Sequence, residues 1–121
     1  QKKETVRKIK GLSNFQRGKV LSIVAQLNSN PDYVLAGEST SPGEMRKLML
    51  ALGILESPEL IVVDEPTNYL DLGSTVALER LLSEYPGALL LVSHDFSLVD
   101  SATSIKWSIQ RSNDNFELVV Q

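Results

Sequence analysis

The stretch that decides the fold is LIVVDEPTNYLD, residues 60–71. It opens with four apolar residues, mostly β-branched, in a run too short for a helix, which predicts a fully buried parallel strand. The strand ends at the carboxylates Asp64 and Glu65, just before Pro66. Open α/β sheets bind their ligands at the carboxyl ends of their strands. Both carboxylates are therefore candidate site residues, although two acids at a solvent-facing strand end explain the pattern alone equally well.

The composition is that of one globular domain or part of one. The chain has 121 residues, 42% of them hydrophobic and 22% charged, which allows one modest core and excludes a disordered tail. No apolar run approaches the ~18 residues that cross a bilayer, and no secretory start is present, so we expect a cytoplasmic protein. The chain has no cysteine, so any metal should be a hard cation held by oxygen, such as Mg²⁺.

Charge is distributed unevenly along the chain. Residues 1–50 carry nine Lys/Arg and four Asp/Glu, whereas residues 51–121 carry three and eleven. The basic residues concentrate in residues 1–19, where Glu4 is the single acid. Such a patch could meet a phosphate backbone or an acidic partner. A solvated helix face is the favoured interpretation, because no aromatic platform or nucleic-acid motif accompanies the charges.

Two helices are predicted at the start of the chain, Lys2 to Lys10 and Asn14 to Gln26, the second with a capping box between Ser13 and Gln16. The glycines within residues 11–20 do not form a phosphate-binding P-loop. A P-loop has four residues between its glycines and Ser or Thr after its lysine, whereas this stretch has six residues and Val20. No other stretch comes closer.

Residues 40–44, TSPGE, predict the start of another helix. Ser41 can cap it, Pro42 suits its first position, and Glu44 has the spacing of a capping box with Ser41. The helix should continue to Leu55, with Arg46 and Lys47 near its exposed start. Free N–H groups and a positive dipole make such a helix start a ready anion site.

A strand–helix–strand unit follows. Residues 73–84 predict a helix, with the inward side chains Val76, Leu78, Leu81 and Leu82. Residues 88–92 predict a second buried strand, and His94, the only histidine of the chain, follows it on the edge that carries Glu65. The strands Ile105–Ile109 and Phe116–Val120 should close the chain as a hairpin, around a turn at 111–115, with Trp107 and Phe116 as packing residues.

Together these segments resemble an ATP-binding cassette (ABC) ATPase. Residues 60–71 are similar to its Walker B strand and D-loop, residues 40–44 to its signature loop, and residues 93–95 to its H-switch, in the family's order and spacing. The PTN-x-LD form resembles the ABC-F family of translation-associated cassettes. Thr40 and Pro42 depart from the usual leucine and glycine of the signature. The SPGE form is similar to the second cassette of antibiotic-resistance ABC-F proteins.

The resemblance implies roles for single residues. In that family Asp64 would hold Mg²⁺, usually through water, while Glu65 orients the attacking water and His94 contacts it and the γ-phosphate. The residues implied to contact an ATP held by an opposite cassette, or to couple the two cassettes, are Ser41, Gly43, Glu44 and Asp71.

The implied fold is α/β, a P-loop NTPase-like ABC cassette without its Walker A half. Residues 1–56 would form the helical and signature subdomain, and residues 57–121 a parallel sheet with flanking helices and a C-terminal β-hairpin. The intact protein would hydrolyse ATP with Mg²⁺ between two cassettes and act on the ribosome or its rRNA, while this chain alone would be inactive. Two alternatives stay open: the ATPase subunit of a membrane transporter, and a non-catalytic interaction module.

The second strand should also leave an unpaired edge, where the P-loop strand of a cassette would lie. We expect the chain to pair with itself through this edge, since exposed apolar edges recruit other strands. The alternative is that the strand Ile105–Ile109 moves inward to fill the vacancy.

Overall fold

The computed structural model describes residues 2–32 and 41–120. Helices come first, a parallel strand–helix–strand unit follows, and an antiparallel hairpin closes the chain. The elements in chain order are α1 (Lys2–Lys10), α2 (Asn14–Gln26), α3 (Pro42–Ile54), β1 (Leu60–Asp64), α4 (Leu72–Ser83), β2 (Ala88–Val92), α5 (Phe96–Ala102), β3 (Trp107–Ser112) and β4 (Asn115–Val120). No helix within the described ranges is long and apolar enough to span a membrane.

The first two helices begin and end where the sequence predicts. The capping box of α2 is formed, since Ser13 Oγ accepts from Gln16 N at 3.2 Å and Gln16 Oε1 accepts from Ser13 N at 3.3 Å. The chain leaves α2 through Asn28, whose φ of 65° belongs to the left-handed region that asparagine tolerates. Gly18 lies inside α2, so residues 11–20 do not form a phosphate-binding loop.

The core joins the helices to the inner face of the parallel strands. Helices α1 and α2 pack on α3, and α4 packs on α5. Burying one large apolar side chain stabilises the folded chain by roughly 1.5–3 kcal/mol. The buried apolar residues are Ile9, Val20, Ile23, Val24, Leu27, Leu48, Ala51, Ile54, Leu55, Ile61, Leu78, Leu82 and Leu98.

Strands β1 and β2 pair in parallel, from Leu60 opposite Ala88 to Asp64 opposite Val92. The ladder extends past the end of β1, because Glu65 N donates to Val92 O at 2.7 Å. Helix α4 connects the two strands, as the sequence predicts. Its bounds differ by one residue from the prediction, because Asp71 rather than Leu72 caps it.

Each of these strands buries one face only. Ile61 and Val63 pack inward, whereas Val62 is 61% exposed, and Leu90 on β2 is 44% exposed. The prediction that β1 and β2 are buried on both faces is therefore wrong for the face that carries Val62 and Leu90. Parallel sheets are normally covered on both faces, and here the described helices cover one. The predicted inward position of Val76 is wrong for a similar reason, since that side chain is 58% exposed.

The hairpin forms a separate sheet. Strand β3 pairs antiparallel with β4, and the connecting turn is centred on Asn113, whose φ is 54°. Trp107 and Phe116 are exposed, so their predicted packing role is wrong within the described chain. Strand β3 has no pairing with β2 in this part of the chain, so it does not fill the edge of β2.

Helix α5 is an element that the sequence reasoning missed. Asp95 caps it by accepting from Leu98 N at 3.1 Å, and Leu98 is fully buried. Glu79 of α4 accepts hydrogen bonds from Ser97 and Ser101 and so joins the two helices. The aspartate cap was visible in the sequence, but a seven-residue helix shows little periodicity.

Candidate active site

The carboxyl ends of β1 and β2 bring Glu65 and His94 together. His94 Nδ1 lies 2.5 Å from Glu65 Oε1, and His94 N donates to Glu65 Oε2 at 3.4 Å. The carboxylate side chain is 25% exposed, while the imidazole is 95% exposed. A polar contact this close to solvent contributes little to stability. The contact therefore orients a carboxylate that can accept a hydrogen bond from water and an imidazole whose other ring nitrogen faces solvent.

Asp64 presents an exposed carboxylate beside this pair, as the last residue of β1. Across residues 2–32 and 41–120, no three His, Asp or Glu side chains gather in a cluster that could hold a metal ion. Magnesium is commonly held by one or two carboxylates together with water and substrate phosphates. The single carboxylate of Asp64 fits a magnesium ion that arrives with a nucleotide.

The backbone at Glu65 takes an unusual conformation. Its φ is 46°, in the left-handed region that non-glycine residues rarely adopt. Arg46 of α3 supports this turn, because its Nη1 lies 2.8 Å from Glu65 O and 3.3 Å from Asp64 O. The same guanidinium lies over the ring of Tyr69, 5.7 Å from the centroid.

The start of α3 lies against the segment around Tyr69 and Leu70 that follows β1 and resembles a D-loop, hereafter called the D-loop. Ser41 Oγ accepts from Glu44 N at 3.2 Å, but among the described hydrogen bonds Ser41 N does not donate to the Glu44 side chain, so the predicted capping box is only half present. Gly43 is buried, and a Cβ placed on it would lie 2.6 Å from Tyr69 O. Glycine is thus required here by the close approach of the loop. Thr40, the first residue of the signature-like segment, lies outside the described residues.

Lys47 joins three segments beneath this contact. Its Nζ donates to Ser29 Oγ and to Ser74 Oγ, both at 2.7 Å, and the side chain is only 7% exposed. Burial lowers the pKa of Lys47, while the charges of Asp71 and Glu44 act in the opposite direction. The prediction that Lys47 lies on the exposed start of the helix is wrong.

Asp71 is the N-cap of α4 and accepts from Ser74 N at 2.8 Å. Hydrogen bonds from Ser74, assisted by the charge of Lys47, hold the pKa of Asp71 below its ordinary value. The carboxylate therefore stays ionised beside the start of α3.

The predicted nucleotide-contacting residues Ser41, Gly43, Glu44 and Asp71 line one cleft of about 320 Å³. Its other lining residues are Asn28, Ser29, Asn30, Lys47, Tyr69, Leu70 and Ser74. Glu65 and His94 lie outside this lining. The structure thus sorts the candidate residues into two groups, one at the strand ends and one in the cleft at the start of α3.

No family model matches the chain. Its sequence relatives include the ribosome protection protein VmlR of Bacillus subtilis, 46% identical over 77 residues, which cover 64% of this chain and 14% of VmlR. The energy-dependent translational throttle protein EttA of Haemophilus influenzae is 39% identical, over 59% of this chain and 13% of EttA. Elongation factor 3A of Saccharomyces cerevisiae is 40% identical, over 58% of this chain and 7% of that protein.

Two solved structures share the fold. The RNase-L inhibitor aligns with a TM-score of 0.66 and 22% identity, over 96% of this chain and 24% of that one. The archaeal ribosome recycling factor aABCE1, solved with the ribosomal stalk protein aP1, aligns with a TM-score of 0.65 and 23% identity, over 95% of this chain and 23% of that one.

The fold is therefore that of an ABC ATPase cassette, as predicted, with a parallel sheet and a C-terminal hairpin. The sequence relatives are ABC-F proteins, which confirms the resemblance found in the sequence. The matched segment covers 14% or less of each of these three relatives.

Sequence reasoning missed Arg46 and Lys47 as contributors to the site. For Lys47 a signal was present, because Gly43, Lys47 and Ala51 recur at four-residue intervals on the buried side of α3. For Arg46 no local signal exists, since its contacts lie 18 and 19 residues further along the chain.

The contact between Gly43 and the D-loop predicts an unequal response of two glycines in the same helix. Gly43→Ala should destabilise the chain by about 1–3 kcal/mol, because the new methyl group would overlap Tyr69 O. The control Gly53→Ala meets no atom within 4 Å and should stabilise the chain by about 0.5–1 kcal/mol. Urea denaturation of both variants measures the difference, and equal effects would contradict the close approach.

The lowered pKa of Asp71 predicts acid sensitivity. Its stabilising contribution should be fully present above pH 3.8, the ordinary value, and should be lost as the pH falls through the lower pKa of the folded state. Asp71→Asn keeps a capping side chain but cannot ionise, so wild type should lose its advantage over this variant only in acid. Denaturant midpoints measured from about pH 6 down to about pH 2 test this. A difference between the two proteins that does not change with pH would contradict it.

Proposed function

We propose that the chain is the signature-to-H-switch segment of an ABC-F cassette that binds and hydrolyses ATP with Mg²⁺ in the intact protein. The observation that carries the proposal is the contact of 2.5 Å between Glu65 Oε1 and His94 Nδ1, at the strand ends that also present Asp64. Two carboxylates and an imidazole at one edge suit phosphoryl transfer, which depends on positioning and on charge neutralisation.

Each of these side chains has a distinct task in the proposal. Asp64 would hold the magnesium ion, usually through water, and the ion would neutralise charge on the phosphate oxygens when bound with ATP. Glu65 accepts a hydrogen bond from the attacking water and so orients it toward the γ-phosphate. His94 keeps the carboxylate in place and presents its other ring nitrogen to the attacking water and the γ-phosphate from its exposed side. A positioned general base of this kind contributes typically about 10²–10⁴-fold to the rate.

The cleft at the start of α3 serves a second ATP, held by an opposite cassette. Ser41 and the N–H of Gly43 meet the γ-phosphate, favoured by the helix dipole. The next two N–H groups are already used, because Glu44 N donates to Ser41 Oγ and Met45 N to Ser41 O. Pro42 supplies no N–H, so this signature offers one backbone donor fewer than a glycine would. Asp71 lies in the same cleft and couples the two cassettes.

The intact protein acts on the ribosome in this proposal, with rRNA as part of the contact and the cytoplasm as its location. The support comes from the relatives, which include a ribosome protection protein, a translational throttle protein and an elongation factor. The similarity of SPGE at residues 41–44 to the antibiotic-resistance subgroup agrees with the 46% identity to VmlR. Antibiotic resistance by ribosome protection is therefore the proposed role.

The catalytic assignment predicts a trapped state. In the intact protein Glu65→Gln should bind ATP normally but hydrolyse it about 10²–10⁴-fold more slowly, because an amide cannot polarise the water. The variant should accumulate as a closed, ATP-bound pair of cassettes. Phosphate release and ATP binding measure the two effects, with the exposed Glu84→Gln as the control. Hydrolysis at the wild-type rate would show that Glu65 is not the catalytic carboxylate.

A companion variant tests the cleft. Ser41→Arg should prevent the closed state, because it places bulk and charge where the second γ-phosphate binds. Unchanged cooperative ATP binding in this variant would contradict the signature assignment. The 121-residue chain alone is the baseline for both variants and should release no phosphate, since it carries no stretch that resembles a P-loop.

The exposed outer face of the β1–β2 sheet predicts that the isolated 121-residue chain associates with itself. In the described residues β1 and β2 pair only with each other, so each has an unpaired edge beside exposed apolar side chains. The apparent mass from light scattering should rise with concentration. Leu90→Lys should suppress this rise, and Ser108→Lys on the hairpin should not. A strictly monomeric particle at every concentration would refute the prediction.

A further inference from the structure

The turn that follows β1 contains two left-handed residues that are not glycine. Glu65 has a φ of 46° and Tyr69 a φ of 68°. Within the turn, Asn68 N donates to Glu65 O at 3.3 Å and Leu70 N donates to Thr67 O at 3.1 Å. These conformations are costly and persist only where surrounding contacts hold them. These two hydrogen bonds lie within the turn itself, so contacts from outside it also decide its conformation.

Arg46 supplies such contacts to both residues. Its Nη1 donates to Glu65 O at 2.8 Å in a part-buried position, and its guanidinium lies over the Tyr69 ring at 5.7 Å. The carbonyl of Asp64 lies 3.3 Å from the same nitrogen. A planar guanidinium can donate at its edge and stack with its face, which an ammonium group cannot do.

The geometry of this turn decides where the Glu65 carboxylate lies. Glu65 N is fixed by its bond to Val92 O and Glu65 O by the bond from Arg46, so both ends of the residue are held. The side chain then leaves the backbone in one direction, toward His94. Without Arg46 only the 3.3 Å bond from Asn68 N would hold the carbonyl, and the carboxylate would lose part of its alignment.

Arg46 also connects this turn to the cleft. It lies one helical turn beyond Pro42 in α3, the helix whose Gly43 contacts Tyr69 O at the other end of the same turn. A rigid helix therefore contacts the turn at both of its left-handed residues. A displacement of α3 at the cleft would therefore change the position of the Glu65 backbone.

We propose that Arg46 is a positioning residue for Glu65, which fixes the carboxylate through its backbone and links its alignment to the signature helix. The inference rests on the proposed function, since it presumes that Glu65 orients the attacking water. Arg46 acts in this proposal through the backbone of Glu65 and not on the nucleotide. Its loss should therefore change the rate of the chemical step and leave ATP binding nearly unchanged.

The test uses the intact protein with Arg46→Ala and Arg46→Lys. Arg46→Ala should lower kcat roughly 10–100-fold, because a small misplacement of a catalytic group is costly, while the Kd for ATP changes less than about threefold. Arg46→Lys keeps the charge but not the planar group and should stay impaired. Added guanidinium ion should restore part of the turnover of Arg46→Ala. The control is Arg80→Ala, an exposed arginine of α4 paired with Glu84.

A spectroscopic readout in the 121-residue chain separates positioning from folding. His94 is its single histidine, so the ring-nitrogen resonances report the contact with Glu65 without ambiguity. Arg46→Ala and Arg46→Lys should shift these resonances toward those of Glu65→Gln, and Arg80→Ala should not. Far-ultraviolet circular dichroism checks that each variant is folded. If Arg46→Ala does not fold, the resonances of Arg46→Lys decide the outcome.

The outcomes distinguish this inference from the proposed function. If Glu65→Gln abolishes hydrolysis and a folded Arg46→Lys or Arg46→Ala turns over at the wild-type rate, the positioning role is overturned and the proposed function stands. An equal loss of ATP binding and turnover in the Arg46 variants would also overturn it. Normal hydrolysis by Glu65→Gln would overturn the proposed function itself.

Discussion

The parallel pairing of β1 with β2 is the constraint on which the site depends. Because both strands run in the same direction and end in register, their carboxyl ends place Glu65 and His94 side by side although 29 residues separate them. The hydrogen bond from Glu65 N to Val92 O carries this register one residue beyond the ladder. Chemistry at the edge of this sheet follows from strand direction and register, and the apolar core serves to hold that register.

The second constraint is the close approach of α3 to the segment that follows β1. Gly43 allows the backbone of the D-loop to reach the helix, and Lys47 fixes the adjoining start of α4 through Ser74. Burying a lysine is costly unless its hydrogen bonds are satisfied, and here two hydroxyl groups accept them. The cleft and the strand-end carboxylates therefore share one rigid support, although they face different ligands in the proposed function.

Local signals explain what the sequence predicted correctly. The bounds of α2 follow from a capping box, and those of β2 from an apolar run between turn residues. Burial was harder to predict, because it depends on what covers each face of a helix or strand. Val62 is an apolar residue typical of a core and is exposed, whereas the charged Lys47 is buried. The contacts of Arg46 depend on how α3 packs against β1, which no local pattern encodes. The candidate site residues were proposed from their motifs, whereas the contacts of Arg46 and Lys47 were visible only in three dimensions.

In the proposed function this chain contributes to two nucleotide sites at once. A structure of the intact protein with bound Mg-ATP is the decisive measurement. We expect the γ-phosphate of one ATP in the cleft beside Ser41, and the γ-phosphate of another beside Glu65 and His94, with the magnesium ion near Asp64. A single nucleotide contacting both Ser41 and Glu65, or nucleotides that approach neither group, would contradict it.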